Sequence, residues 1–109
     1  MKSKFMIKES ETLKTILQYL RYKKGFFWRN NTGGIVAQTK ERERFFRFGL
    51  KGSADIIGLK PGGQLVAIEV KALGKKQSPS QIEFQKSIES NGGLYVLAYS
   101  VDDVIKQGI

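Results

Sequence analysis

The chain has 109 residues and a net charge of +9, from 19 Lys and Arg against 10 Asp and Glu, and it contains no cysteine and no histidine. Those two absences exclude a disulfide framework, a Cys/His zinc site, a thiol nucleophile and a Ser-His-Asp triad, so any catalysis must run on carboxylates, lysine, hydroxyls or a metal held by oxygen. The length fits a single domain over residues 1–109, and the charge points to a polyanionic partner, most simply nucleic acid.

Met1 to Lys8 has no long apolar stretch, and no run in the chain approaches the ~20 apolar residues of a membrane span. The expectation is therefore an intracellular, cytoplasmic protein with no membrane partner. Glu9 to Lys23 reads as a helix, because Leu13, Ile16, Leu17 and Leu20 recur at spacings of three and four, and Gly25 ends it. Phe26 to Asn30 has strand composition, Asn31 to Gly34 is a turn, and Ile35 to Gln38 is a short strand. Lys40 to Arg44 is charged and reads as a loop or strand edge, and Phe45 to Phe48 as a short aromatic strand. Phe26, Trp28, Phe45 and Phe48 are expected in the core, since they fall at strand positions.

Ala54 to Leu59 is a further strand, Lys60 to Gly63 a turn, and Gln64 to Lys71 the strongest strand in the chain. After a basic loop, Ser78, Pro79 and Gln81 form a helix start with a capping box, and Asn91-Gly92-Gly93 stops that helix after Ser90. Leu94 to Tyr99 is a strand, and Ser100 with Asp103 opens a short helix from Val101 to Lys106. This order predicts an α/β fold with a mixed central sheet flanked by helices, and a parallel crossover from Gln64 to Tyr99.

Strand alternation puts Glu69 and Lys71 on one face and Val66, Ile68 and Val70 on the other. Charges in a central strand are costly unless paired or bound to a cation. If Pro61, Gly62 and Gly63 form a three-residue loop, Lys60 pairs with Gln64 and Asp55 falls opposite Glu69. A two-residue loop would slip the register and separate the two acids onto opposite faces. Opposed carboxylates ~4.5–5.5 Å apart at Cβ repel, which asks for a divalent cation between them. Glu9 lies in phase with the apolar stripe of its helix, whereas Glu11 falls on the polar side. Glu9 either complements the helix N-terminus or reaches the same site. Carboxylates with a lysine at this spacing suit metal-assisted phosphodiester hydrolysis.

The ordered motifs carry a resemblance. Glu9, then Trp28-Arg29-Asn30-Asn31-Thr32-Gly33, then Arg47-Phe48-Gly49-Leu50-Lys51-Gly52-Ser53-Ala54-Asp55-Ile56-Ile57-Gly58, then Ile68-Glu69-Val70-Lys71, Ser78-Pro79-Ser80-Gln81 and Gly92-Gly93 resemble the VRR-NUC family. These are the virus-type replication-repair nucleases of the PD-(D/E)XK superfamily, and the chain is most similar to their stand-alone phage members. The resemblance implies a restriction-endonuclease-like core and a Mg²⁺-dependent DNA endonuclease, with Mn²⁺ as the alternative metal. Asp55, Glu69 and the carbonyl of Val70 would hold the metal, Lys71 would be the catalytic lysine, and Glu9 would complete the site. Gln81 would face the site, in competition with its capping role, one bond at a time. Ala54 stands where the superfamily name expects a proline, as VRR-NUC members commonly lack it. The resemblance further implies a homodimer acting on branched DNA, with Holliday-junction resolution foremost. Flap or linear-duplex cleavage, and an inactive binding module, are the alternatives.

Lys40, Arg42, Arg44, Arg47 and Lys51 precede Asp55, and Lys75 and Lys76 follow Lys71, so these runs bracket the proposed site as phosphate contacts. Arg29, Asn30 and Asn31 are further candidates, for phosphate or for the turn. If about six phosphates are neutralised, log K falls with a slope of roughly −5 against log salt.

Overall fold

The computed structural model describes residues 8–31 and 33–109. Its elements run α1 (Glu9–Leu20), β1 (Phe26–Arg29), β2 (Gly33–Gln38), β3 (Glu43–Phe48), β4 (Ile56–Leu59), β5 (Leu65–Val70), α2 (Pro79–Ser90), β6 (Leu94–Ala98) and α3 (Val101–Lys106). The readings of the N-terminal segment over residues 1–7 and of Thr32 in the turn lie outside the described residues. No helix among the described residues is long and apolar enough to cross a membrane.

Four strands form a mixed sheet in the order β1-β4-β5-β6. The pairs β1–β4 and β4–β5 are antiparallel, and β5 and β6 are parallel, joined by the α2 crossover. The α1 stripe of Leu13, Ile16 and Leu20 packs on one face of this sheet against Ile56, Val66, Ile68, Val70, Val96 and Ala98, with Val104 of α3. On the other face α2 lays Phe84 and Ile88 over Ala54, Ala67 and Tyr95. This second layer is thin: α2 has no fully buried residue.

Helix α1 ends at Leu20, three residues before the expected Lys23. Beyond Leu20 the stripe offers only charged residues, and the chain tightens into turns closed by Tyr22 N–H to Tyr19 and Lys23 N–H to Leu20. Gly25 then takes φ 109°, and a Cβ there would lie 2.5 Å from the Leu59 carbonyl. The bounds of α2 and α3 agree with the capping and glycine signals, although Ser100 makes no side-chain cap. Asp103 instead accepts the Tyr99 N–H at 2.8 Å.

Two expectations are corrected. The sheet does not gather every strand: among the described residues β2 and β3 pair only with each other, as a separate antiparallel hairpin. Nor are Phe26, Trp28, Phe45 and Phe48 core residues, for all four are exposed. The physical reason is the reach of α2. Pairing of Trp28 with Ile57 and of Ile57 with Ala67 places Phe26 and Trp28 on the α2 face, but at the edge strand, and no helix covers that edge. The rings of Phe26 and Trp28 pack against each other instead, tilted by 43° with centroids 5.3 Å apart.

Candidate active site

The β4–β5 connection determines the site. Lys60 N–H donates to Gln64 O at 2.9 Å, and Gly62 and Gly63 both take positive φ, near 100°, in a three-residue loop. Ile56 therefore pairs with Ile68, and one step further Asp55 stands opposite Glu69. Asp55 itself lies just before β4, pinned by Asn30. The Asn30 N–H donates to Asp55 O at 2.7 Å, and its side-chain amide donates to Ser53 Oγ at 2.9 Å and Ala54 O at 3.0 Å. Sequence reasoning placed Asn30 near phosphate or a turn; its role here is to hold the strand that carries Asp55. A side-chain amide one residue beyond a strand, facing a Gly-Ser-Ala segment, was the available signal.

The Asp55 carboxylate accepts the Val70 N–H at 2.7 Å through Oδ2. Glu69 is 4% exposed. Its Oε2 accepts the Gln81 amide at 3.0 Å and lies 4.0 Å from Lys71 Nζ, while its Oε1 is buried without a hydrogen-bond partner among the described residues. Burial, then the negative charge of Asp55, push the Glu69 carboxyl up to about 8, against the pull of Lys71.

Gln81 performs both expected roles at once. Its side-chain oxygen accepts the Ser78 N–H at 2.8 Å and completes the capping box, while its amide nitrogen reaches Glu69. The expectation of one bond at a time is corrected, because an amide has an acceptor end and a donor end. Gly52 makes this placement possible. It has φ 84°, and a Cβ there would sit 2.4 Å from the Ser80 carbonyl in the first turn of α2.

From the other face of the sheet, the N-terminus of α1 brings Glu9 to the end of β5, where its Oε2 accepts the Ala72 N–H at 3.0 Å. Glu9 lines a cleft of about 340 Å³ with Ser10, Leu13, Arg29, Asp55 and Val70. Glu11 does not line it. Of the basic candidates, Arg29 reaches this cleft and Asn31 follows two residues on, exposed. Lys75 and Lys76 are exposed in the loop after Lys71. Lys40 and Arg42 instead lie at the tip of the β2–β3 hairpin, and Arg44 and Arg47 on its opposite faces. Six strand residues at ~3.4 Å each set that tip about 20 Å from the hairpin root, whereas Arg47 pairs with Gly34 near the root and Lys51 lines a groove with Ser80, Glu83 and Phe84 of α2.

Among the described residues no three His, Cys, Asp or Glu side chains converge as a metal cage. The donor set is the pair Asp55 and Glu69 with the Val70 carbonyl beside them. Its chemistry fits a hard divalent cation that keeps several waters. An orphaned, buried carboxylate oxygen facing a second acid is the specific feature such an ion would satisfy. No protein-family model matches the chain, and no curated protein or solved structure does either. The reading of this site therefore rests on its own geometry.

Proposed function

We propose that this chain is a VRR-NUC-type nuclease with a restriction-endonuclease-like core, a Mg²⁺-dependent endonuclease that hydrolyses phosphodiester bonds in branched DNA as a homodimer, most simply resolving Holliday junctions. The observation that carries it is Asp55 opposed to Glu69, with Lys71 next on the same face and Glu69 Oε1 left without a partner among the described residues.

In this reading Asp55, Glu69 and the Val70 carbonyl hold the ion, which when bound would polarise the scissile phosphate and acidify a water. Lys71 stands beside Glu69, where it orients the attacking water and offsets charge on the phosphate. Gln81 fixes the Glu69 carboxylate, and the Val70 N–H fixes that of Asp55. Arg29 at the mouth of the cleft supplies a phosphate contact that sets the strand over the site.

The test is cleavage of labelled four-way junction, flap, splayed-arm and linear duplex DNA with Mg²⁺, by the wild type, Asp55→Ala and Lys71→Ala. Junction cutting lost in both variants is expected. Equal cutting of plain duplex would overturn the junction assignment, and full activity of Asp55→Ala would misplace the site.

A further inference from the structure

Strand β1 is the edge of the sheet, and its outer side pairs with no strand among the described residues. Its side chains alternate between the two faces. Phe27 turns toward α1 and lies over Gly58, where a Cβ would run into its ring. Phe26 and Trp28 turn the other way and stay 66% and 41% exposed, with their rings packed together. The core gives no reason for a Phe and a Trp left open side by side, and an uncovered pair of this kind marks a binding surface.

Between α1 and the same strand runs a cleft of about 280 Å³. Arg21, Arg29 and Trp28 line it above an apolar floor of Leu17, Leu20 and Phe27. Among the described residues no acidic side chain lines it, and the one ion pair joins Lys71 to Glu69, so neither guanidinium is neutralised there. Arg29 also lines the cleft that holds Glu9 and Asp55, so the two clefts meet at that residue. We propose that the free edge of β1 is a subsite for one unpaired nucleotide beside the Asp55–Glu69 site. Its base stacks on Trp28 and Phe26, and its phosphates lie against Arg29 and Arg21.

Each part of such a ligand is matched. Trp28 and Arg29 are chain neighbours with Cα atoms ~3.8 Å apart, so one strand of nucleic acid passing the edge reaches rings and guanidiniums together. A paired base keeps its planar faces inside the duplex stack, whereas an unpaired one presents a face to an aromatic platform. The exposed parts of the two rings come to roughly 250 Å², about a third of the ~800 Å² that each partner gives to a standard protein interface. That area suits a base better than a folded partner. The inference rests on the proposed nuclease for its substrate. It adds that the bound DNA carries an unpaired nucleotide next to the scissile phosphate, as at a flap, a splayed arm or an opened junction centre. Binding of that nucleotide needs neither the ion nor cleavage.

Trp28 is the only tryptophan in the chain, so its fluorescence reports the subsite directly. The wild-type protein is titrated in EDTA with oligothymidylate, a flap duplex and a blunt duplex. Single strand and flap are expected to quench the emission, and blunt duplex to bind without quenching it. A flap made abasic at the branch should bind and leave the emission unchanged. Anisotropy of a labelled flap then compares variants. Trp28→Ala should bind it about 10- to 100-fold more weakly, with blunt-duplex affinity unchanged. Trp28→Phe keeps a ring and should recover most of the loss, which separates stacking from misfolding. Arg21→Ala should lower the salt slope by about one. Equal quenching by blunt duplex and flap, or flap binding with the emission unchanged, overturns the subsite. So does a Trp28→Ala protein that binds the flap normally but sediments as a smaller species, because this face would then join protein to protein. Quenching by the flap in a protein that cuts no substrate supports the subsite and overturns only the nuclease reading.

Discussion

The Gln81 amide donates to Glu69 Oε2 at 3.0 Å while its oxygen accepts the Ser78 N–H at 2.8 Å. One side chain thus closes the start of α2 and orients the acid on β5, so the helix end and the site are mechanically joined. Gln81→Ala removes both functions. The lost cap should cost about 1 kcal/mol of stability, and the unanchored Glu69 should cost about 10- to 100-fold in metal affinity and cleavage rate. Gln81→Glu keeps an acceptor for Ser78 but replaces the donor with a like charge, so its melting temperature should stay nearer the wild type while its activity falls. Thermal melts and single-turnover cleavage read the two effects apart. Unchanged cleavage by Gln81→Ala would remove Gln81 from the site.

Asp55→Asn tests the opposed pair. It keeps an oxygen for the Val70 N–H bond but halves the negative charge available to a cation. Cleavage should fall by about a thousandfold or more, the worth of several kcal/mol of metal stabilisation. DNA binding without divalent metal should persist or tighten, since one repelling charge is gone. Gel-shift titration with EDTA and cleavage with Mg²⁺ check the two halves. Loss of both together would show that Asp55 is needed for folding rather than for the ion.

Gly52→Ala tests the seat of α2 from outside the site. Its φ of 84° and a Cβ 2.4 Å from the Ser80 carbonyl leave no room for a methyl group. Backbone strain and displacement of the first turn should cost about 1–3 kcal/mol. Because Gln81 lies in that turn, cleavage should fall further than stability explains. A variant with lowered melting temperature and full activity at low temperature would break the link between Gly52 and Gln81.

The turn from Lys60 to Gly63 was legible in the sequence, but a two- and a three-residue loop both fitted it, and it is the three-residue loop of the structure that sets Asp55 against Glu69. The bounds of α2 were legible because Ser78, Pro79, Gln81, Gly92 and Gly93 act locally, within a turn of where they stand. What could not be read was which strands another layer covers. Phe26, Trp28, Phe45 and Phe48 have strand composition, and composition alone places them in a core. Their exposure depends on α2 stopping short of β1 and on β2–β3 leaving the sheet, and both are tertiary outcomes. The double role of Gln81 was hidden by treating an amide as one partner rather than two.

The last prediction concerns pH. Glu69 has its carboxyl raised from 4.5 to about 8, by burial and then by Asp55. Between those values the folded, metal-free protein holds a proton that the unfolded chain has released. Folding stability therefore falls as pH rises through this window: the contribution is fully present below the unfolded value and lost above the folded one. The total loss should be on the order of a few kcal/mol. Glu69→Gln cannot ionise, so its melting temperature in EDTA should stay flat where that of the wild type declines, and the two curves should cross as pH rises. A divalent ion must displace the same proton to bind, so stabilisation by Mg²⁺ should grow with pH in the wild type and be absent in Glu69→Gln. Melts in EDTA and in Mg²⁺ at about pH 5 and about pH 8 supply the comparison. Parallel wild-type and Glu69→Gln curves would mean that Glu69 titrates normally, and the opposed acids would then need no ion to coexist.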